Sequence, residues 1–412
     1  MSHLATLETA GLAALPAWAE AMRAQAQAQF ASHGLPHRRL EAWKYTSLKG
    51  LEAEPMPAPA TTEQAPLLDQ CATVALVDAR HETLPDLPHG VSLEALPAAL
   101  AKDQGSLRDL LATLPAEAAD ESLSALNTAH LDKGFLLRVA AGVDAGRLQL
   151  CWRSSASSRA AFINTRLLVL LEPNARLELI EDFAISGAYN QVLQLQLAAG
   201  SRLHHSRLQG GQANSWLLTR TELEQAADAH FEQASLDLGF GLARHDLRAR
   251  LAGSGAHCRA LGAYLPTGQA HVDHHLDVRH EAPGCESHQL FRGVLRDQGR
   301  AVFNGRVHVL PGADQSEAHQ SNANLLRSER AEVDTKPELI IEADEVVASH
   351  GATVGQLDET AVFYLRSRGL SDDAARQLLT GAFCQAVIDE VSDRQVREAL
   401  TARLAKALGA EQ

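Results

Sequence analysis

The sequence predicts a mainly β protein in which a right-handed parallel β-helix is flanked by N-terminal and C-terminal α-helical regions. The first observation behind this prediction is a repeat between about residues 145 and 320. Seven polar residues that each open a strand-like alternation recur there 26 to 29 residues apart: Arg147, Arg176, Arg202, His230, His257, Glu286 and Asp314. A fixed period in this range is typical of solenoids, and strand-only units favour a β-helix with coils about 4.8 Å apart.

The second observation concerns the residue that precedes each member of this series. It is always small: Gly146, Ala175, Ser201, Ala229, Ala256, Cys285 and Ala313. A sharp corner leaves no room for a larger side chain, so these positions predict a column of aligned corners. An ordinary β-sandwich would need no fixed register of this kind.

The N-terminal part predicts a helix and an anchoring segment. Residues 17–33 read as an amphipathic helix that follows Pro16 and stops before Gly34. The next segment, around Trp43, combines basic and aromatic residues. Stacking on nucleic acid is one interpretation, but docking of the helix onto the body of an acidic protein is favoured. Residues 1–130 are therefore predicted to form a helical region with a proline-rich linker, ahead of a β-helix core at 131–355.

Residues 356–412 predict a C-terminal helical domain, because the apolar period there changes to 3.6. Glu359–Arg368 forms the first predicted helix, Ser371 caps the second, and Asp393 begins the third. The apolar stripe predicted for the second helix contains Leu378, Leu379, Ala382, Phe383, Ala386, Val387 and Val391. Such helices would also cover the strand edges at the end of a solenoid.

Composition narrows the classes of function. The 412 residues carry a net charge of −14, with 45% apolar residues, which argues against binding to nucleic acid or to an anionic membrane surface. The five cysteines form no CxxC pair, as expected for free thiols in a reducing cytoplasm. No GxxxxGK[ST], HExxH or GxSxG motif occurs. We therefore expect a cytoplasmic protein that binds no nucleotide by itself.

Nineteen histidines raise the question of a metal site. Three groups are close in sequence or in the predicted register: His271, His274, His275 and His280; His204 and His205; His230 and His257. Imidazoles at such spacing can bind a transition metal, but a solvated polar ladder on an outward face is the favoured interpretation. Cys258 and Cys285 are predicted in the core and at a corner. His350 remains as a candidate in the last predicted strand, Val346–Gly355, where an extended apolar run ends in a histidine followed by glycine, although a lone histidine is more often structural.

Several motifs carry a specific resemblance. They are Phe291–Val294, Gly299–Gly305, Ala331–Pro337, Ser349–Gly355 and Phe363–Gly369. Together they resemble the SufB/SufD family of iron–sulfur cluster assembly scaffold proteins. The N-terminal Trp43–Thr46 resembles the branch of this family that pairs with SufB-like chains. The resemblance implies a parallel β-helix between helical regions, in agreement with the repeat.

The resemblance also implies a function. It implies a non-catalytic scaffold subunit that forms a heterodimer with a SufB-like paralogue and binds a SufC-type ATPase. Because the paralogues share this core, a homodimer of the chain in isolation stays open as an alternative. The resemblance assigns His350 to the cluster-assembly interface, as a metal ligand of a transient iron–sulfur cluster shared with the partner. Some relatives carry a cysteine where this chain has Ala348, so no thiol ligand is expected there. The expected ATPase-docking residues are Tyr364, Arg366, Arg368, Gly369, Leu378 and Phe383.

Two alternative functions stay open at this point. One is a stand-alone metal-binding protein that uses the histidine clusters. The other is a carbohydrate-active enzyme on a β-helix, which the aromatic share of 4% disfavours because it offers few platforms for stacking on sugars.

Overall fold

A computed structural model defines the fold of the chain. The structure describes residues 12–53, 64–69, 71–81, 84–103, 105–115, 117–155, 162–210, 213 and 215–409. Most of the predicted proline-rich linker, residues 54–63, lies outside the described residues.

Helices lie at both ends of the chain, and strands fill the middle. The α-helices are α1 (Ala17–His33), α2 (Gly50–Ala53), α3 (Leu96–Lys102), α4 (Ser106–Ala112), α5 (Ser122–Ala129), α6 (Glu359–Ser367), α7 (Asp372–Ile388) and α8 (Arg394–Gly409), with short 3-10 turns at Glu41–Trp43 and Ala119–Glu121. The strands are β1 (Ala72–Val77), β2 (Arg80–His81), β3 (Val91–Ala95), β4 (Gly134–Val139), β5 (Asp144–Arg153), β6 (Phe162–Leu171), β7 (Arg176–Ala184), β8 (Ala188–Leu197), β9 (Arg202–Gln209), β10 (Trp216–Gln225), β11 (His230–Asp237), β12 (Leu242–Leu251), β13 (His257–Tyr264), β14 (His271–His280), β15 (Glu286–Leu295), β16 (Arg300–Val309), β17 (Ser316–Leu326), β18 (Glu332–Ile341) and β19 (Val346–Gly355).

From β4 onwards, successive strands belong alternately to two sheets, and together they form a parallel β-solenoid of about seven turns. We name the sheets after the strands that follow β4. The odd sheet has the order β2-β1-β5-β7-β9-β11-β13-β15-β17-β19, and the even sheet has the order β3-β4-β6-β8-β10-β12-β14-β16-β18. Neighbouring strands from β4 to β19 pair in parallel. The predicted parallel β-helix between helical ends is confirmed.

The predicted column of corners exists in the middle of the solenoid. Successive cross-strand partners there are Arg176, Arg202, His230, His257 and Glu286. The small residues before them are fully buried: Ala175, Ser201, Ala229, Ala256 and Cys285. A larger side chain at any of these corners would meet the neighbouring coil.

The predicted series loses register at its two ends. Arg147 pairs with Glu178 because β5 contains a bulge after Asp144, and Ala145 replaces the exposed Gly146 as the buried corner residue. At the other end, Glu286 pairs with Glu317 instead of the predicted Asp314. The corner before β17 holds six residues, 310–315, whereas the corner before β9 holds four, so the longer corner shifts the polar residue out of the column.

Side chains alternate between the interior and the outer faces of the solenoid. Most interior positions belong to one continuous apolar cluster that extends from Val74 to Ala331. Polar side chains interrupt it, and they are almost fully buried: Glu181, His205, Asp237, His245 and His274.

The N-terminal region is joined to the solenoid through strands and through one aromatic anchor. β1 pairs with β5, and β3 pairs with β4, so strands as well as helices make up this region. The indole of Trp43 is 3% exposed, donates to the carbonyl oxygen of Asp120 (3.1 Å) and lies 3.8 Å from the guanidinium of Arg244. This burial supports the docking interpretation of the basic and aromatic segment.

The three predicted C-terminal helices are present, and α7 and α8 cover the outer face of the odd sheet. Ser371 caps α7 by accepting from the amide of Ala374 (3.2 Å). The predicted apolar stripe of α7 is wrong in part, because Leu378 is 53% exposed and small residues occupy the close helix–sheet contact. The buried residues of α7 are Ala375, Thr380, Cys384, Val387 and Ile388. Within the described residues, every helix is too short or too polar to span a bilayer.

Candidate functional site

The last coil, formed by β18 and β19, ends both sheets of the solenoid. β19 pairs only with β17, and β18 only with β16, within the described residues. Each strand is ten residues long and leaves one edge without a strand neighbour. Its large exposed apolar residues are Ile340, Ile341, Val347 and Val354. An exposed edge of this length with apolar side chains is a template for pairing with another chain.

His350 lies in the middle of this edge strand. Its side chain is exposed, and its Cα partner on β17 is Gln320. By the alternation of the strand it shares a face with Val346 and Ala348, which pack against the interior cluster. The imidazole therefore lies on the interior face of the sheet at the end of the solenoid, where no further coil of the described residues covers it.

Most of the clustered histidines are fixed inside the protein instead of forming a solvated ladder. His205 Nε2 lies 2.8 Å from Glu181, and Asp237 lies 3.0 Å from His274 and 3.3 Å from His245. Burial lowers the pKa of His205 and lowers that of His245 to about 4. The favoured prediction of an outward ladder is wrong for His205 and His274, because each shares a face of its strand with residues of the interior cluster, such as Leu203 and Val272.

The remaining histidines have individual partners. His230 and His257 are near neighbours, as the register predicted, with stacked rings 4.4 Å apart. His204 bonds to Glu178, His271 to Thr46, His275 to Asp273, and His280 to Ser287. Among the described residues, no group of three or more histidine, cysteine, aspartate or glutamate side chains is placed to hold a metal ion.

The cysteines occupy structural positions. Cys258 and Cys285 are buried in the interior cluster, as predicted, and Cys384 is buried between α7 and the odd sheet. Burial raises the pKa of the Cys258 and Cys384 thiols to about 12. These thiols are therefore protonated at neutral pH and are poor ligands or nucleophiles.

The residues expected to dock an ATPase divide into two groups. Tyr364 and Leu378 are 56% and 53% exposed, Arg368 donates to the hydroxyl of Tyr364 (3.1 Å), and Arg366 lies 3.4 Å from Asp372. Gly369 ends α6 with a φ of 99°, a conformation that favours glycine. The structure brings these residues to α6 and the first turns of α7.

Phe383 does not join this exposed group. Its ring lies 5.1 Å from the guanidinium of Arg292 on β15 and packs against the cluster beneath α7. Phe363 was missed as a site residue, although it is 71% exposed on α6. The signal was its place beside Tyr364 in the motif Phe363–Gly369.

Comparison with known proteins places the chain in a family. Residues 153–383 match the family described as "SUF system FeS cluster assembly, SufBD core domain". The chain is 30% identical over 392 residues to the iron–sulfur cluster assembly protein SufD of Escherichia coli, covering 91% of this chain and 90% of that protein. It is also 30% identical over 388 residues to the SufBD family protein slr0076 of Synechocystis, covering 87% and 84%. Protein ABCI7, chloroplastic, of Arabidopsis thaliana is 31% identical over 248 residues, which cover 59% of this chain and 52% of that protein. The chain therefore belongs to the SufBD family of the SUF system of iron–sulfur cluster assembly.

Proposed function

We propose that this chain is a non-catalytic subunit of a cytoplasmic scaffold complex that builds iron–sulfur clusters. In this proposal it forms a heterodimer with a SufB-like paralogue and binds a SufC-type ATPase, which supplies the nucleotide chemistry that this chain lacks. The observation that carries the proposal is the last coil, whose two open edges and exposed apolar residues surround His350. A paralogue with the same solenoid can continue both sheets from these edges.

The cluster is the cargo of this complex, and its ligands are shared. A cluster takes about four protein ligands, mostly thiolates. The buried thiols of this chain lie away from β19, and position 348 is alanine. His350 would therefore contribute one imidazole nitrogen, and the partner or its sulfur would contribute the rest. The same count weighs against a stand-alone metal-binding protein.

The exposed face of α6 is the proposed ATPase-docking region. Tyr364, Arg366, Arg368, Gly369 and Leu378 remain in the proposal, and Phe363 joins them because it is the most exposed of the large apolar residues. Aromatic and arginine side chains are the types most often found at the energetic centre of an interface. Phe383 is assigned the role of holding α7 on the solenoid.

The last coil also accounts for self-association. Without the paralogue, two copies of β18 and β19 can meet about a two-fold axis, since the same patch would then serve both subunits. We expect this homodimer to be displaced by the paralogue, because both use one edge.

The test is co-expression of the chain with a SufB-like paralogue and a SufC-type ATPase. Val347→Lys should abolish the heterodimer, because it puts a charge on an edge residue that is 58% exposed and would be buried on pairing. His350→Ala should leave the complex assembled and remove most of the cluster formed on it. His257→Ala is the matched control, a half-buried histidine three strands back in the odd sheet order. An unchanged cluster yield in His350→Ala, or an intact heterodimer in Val347→Lys, would contradict the proposal.

A further inference from the structure

Two glutamines hold the position equivalent to His350 on the two preceding strands of the odd sheet. Gln289 on β15 pairs with Gln320 on β17, which pairs with His350 on β19. The three side chains therefore stack on one face, about 4.8 Å apart from coil to coil. Both glutamines are buried, at 1% and 3% exposure.

The amides of these glutamines point along the column in one direction. Gln320 Nε2 donates to Gln289 Oε1 at 2.6 Å. Gln320 Oε1 is buried and has no hydrogen-bond partner among the described residues. A buried carbonyl oxygen without a donor is rare and unfavourable. The next side chain in the column is the imidazole of His350, which can donate one N–H.

A glycine on the opposite sheet makes room for this arrangement. A side chain at Gly305 on β16 would overlap the amide of Gln320 and approach the ring of Phe303. Gly305 has no left-handed backbone conformation that would require glycine. The absence of a side chain at Gly305 therefore leaves the space that the Gln320 amide occupies.

We propose that Gln320 is a positioning residue for His350. When the exposed imidazole turns towards the column, its N–H donates to the unpartnered carbonyl oxygen of Gln320. The bond then holds the neutral ring in one tautomer and leaves the lone pair of the other ring nitrogen directed away from the column. The inference rests on the proposed function, since it explains how a single exposed histidine presents a defined ligand atom to the cluster. Partners of this kind fix the orientation and tautomer of histidine ligands at metal sites generally.

The mechanism needs only this chain. An exposed imidazole without a partner exchanges its proton between two nitrogens and rotates about two side-chain bonds. The acceptor on Gln320 removes both freedoms at once, because one nitrogen keeps the proton and the ring plane follows the hydrogen bond. The space beside Gly305 holds the Gln320 amide in place, and the bond from one of its two N–H groups to Gln289 adds to this.

The test is nitrogen NMR of the full chain labelled with ¹⁵N-histidine, with the His350 signals identified by their loss in His350→Gln. In the wild-type chain at pH 8, the two ring nitrogens of His350 should give well-separated shifts, one protonated and one unprotonated. Gln320→Met keeps the shape of the side chain without the acceptor, and the two shifts should move towards each other as the tautomers mix. Gly305→Ala displaces the same amide and should give the same change, whereas Gln289→Met keeps the acceptor and should not. Shifts that are equally separated in wild type and Gln320→Met would overturn the inference.

Cluster assembly provides the second measurement. In the complex, Gln320→Met should lower iron retention about tenfold, as is usual for the loss of such a partner, while Gln289→Met should remain close to wild type. If His350→Ala does not lower the yield, the proposed function fails whatever the tautomer shows. If His350→Ala lowers it but Gln320→Met changes neither the shifts nor the yield, only the role of Gln320 fails.

Discussion

Acidification should destabilise the protein through His280, and the structure sets the size of the effect. This imidazole is fully buried at the end of β14, bonded through Nε2 to the hydroxyl of Ser287 at 2.8 Å. Burial lowers its pKa from 6.5 to about 4. The unfolded chain therefore takes up a proton near pH 6.5, while the folded chain resists until about pH 4. The contribution of His280 to the free energy of unfolding is fully present above pH 6.5 and is lost progressively as the pH falls to about 4.

At about 1.4 kcal/mol per pKa unit, the total loss is about 3 kcal/mol, of which about 2 kcal/mol falls between pH 7 and pH 5. The assay is urea unfolding of wild type and His280→Asn at both pH values, followed by far-UV circular dichroism. Between pH 7 and pH 5, the free energy of unfolding of the variant should fall by about 2 kcal/mol less than that of wild type. This difference does not depend on the stability of the variant at pH 7. His257→Asn, which removes a half-buried histidine, is the matched control. Equal losses in wild type and His280→Asn would refute the reasoning.

Three further predictions concern the two helical ends. Trp43→Ala should lower the free energy of unfolding by about 4 kcal/mol, because it removes a buried indole together with its contact to Arg244; a loss below about 1 kcal/mol in urea unfolding would contradict the anchor. Phe363→Asp should leave the melting temperature unchanged while weakening ATPase capture at least about tenfold, measured by calorimetry; unchanged affinity would remove the α6 face from the interface. Arg376 bonds to both carboxylate oxygens of Glu359 (2.8 Å each) and to Asp372 (2.7 Å), so Arg376→Gln should speed hydrogen exchange in α6. The increase should shrink in high salt, which weakens the exposed wild-type ion pairs.

The solenoid could be predicted because each coil repeats one steric requirement. The corners at Ala175, Ser201 and Ala256 exclude larger side chains, and such exclusion leaves a readable period in the sequence. The register at the two ends of the repeat could not be predicted from that period. A bulge in β5 and a longer corner before β17 shift the register, and neither has a signature that differs from ordinary loop composition.

The site was predicted less completely than the fold. His350 was found through a motif, and its exposure on an edge strand agrees with an interface role. The histidines at 205 and 274 were misassigned because strand periodicity gives two faces without saying which one is inside. Apolar spacing also placed Phe383 and Leu378 in one stripe, whereas the buried face of α7 is formed by Ala375, Thr380, Cys384, Val387 and Ile388.

The two proposed interfaces are mechanically joined. β19 ends at Gly355 and α6 begins at Glu359, so three residues connect the edge that carries His350 to the helix that carries Tyr364. Three residues span at most about 10 Å when fully extended. An ATPase that moves α6 further than this slack must pull on β19 or break its pairing with β17. Because β19 is held on one side only, nucleotide-driven movement of α6 would act first on the coil that holds the proposed cluster ligand.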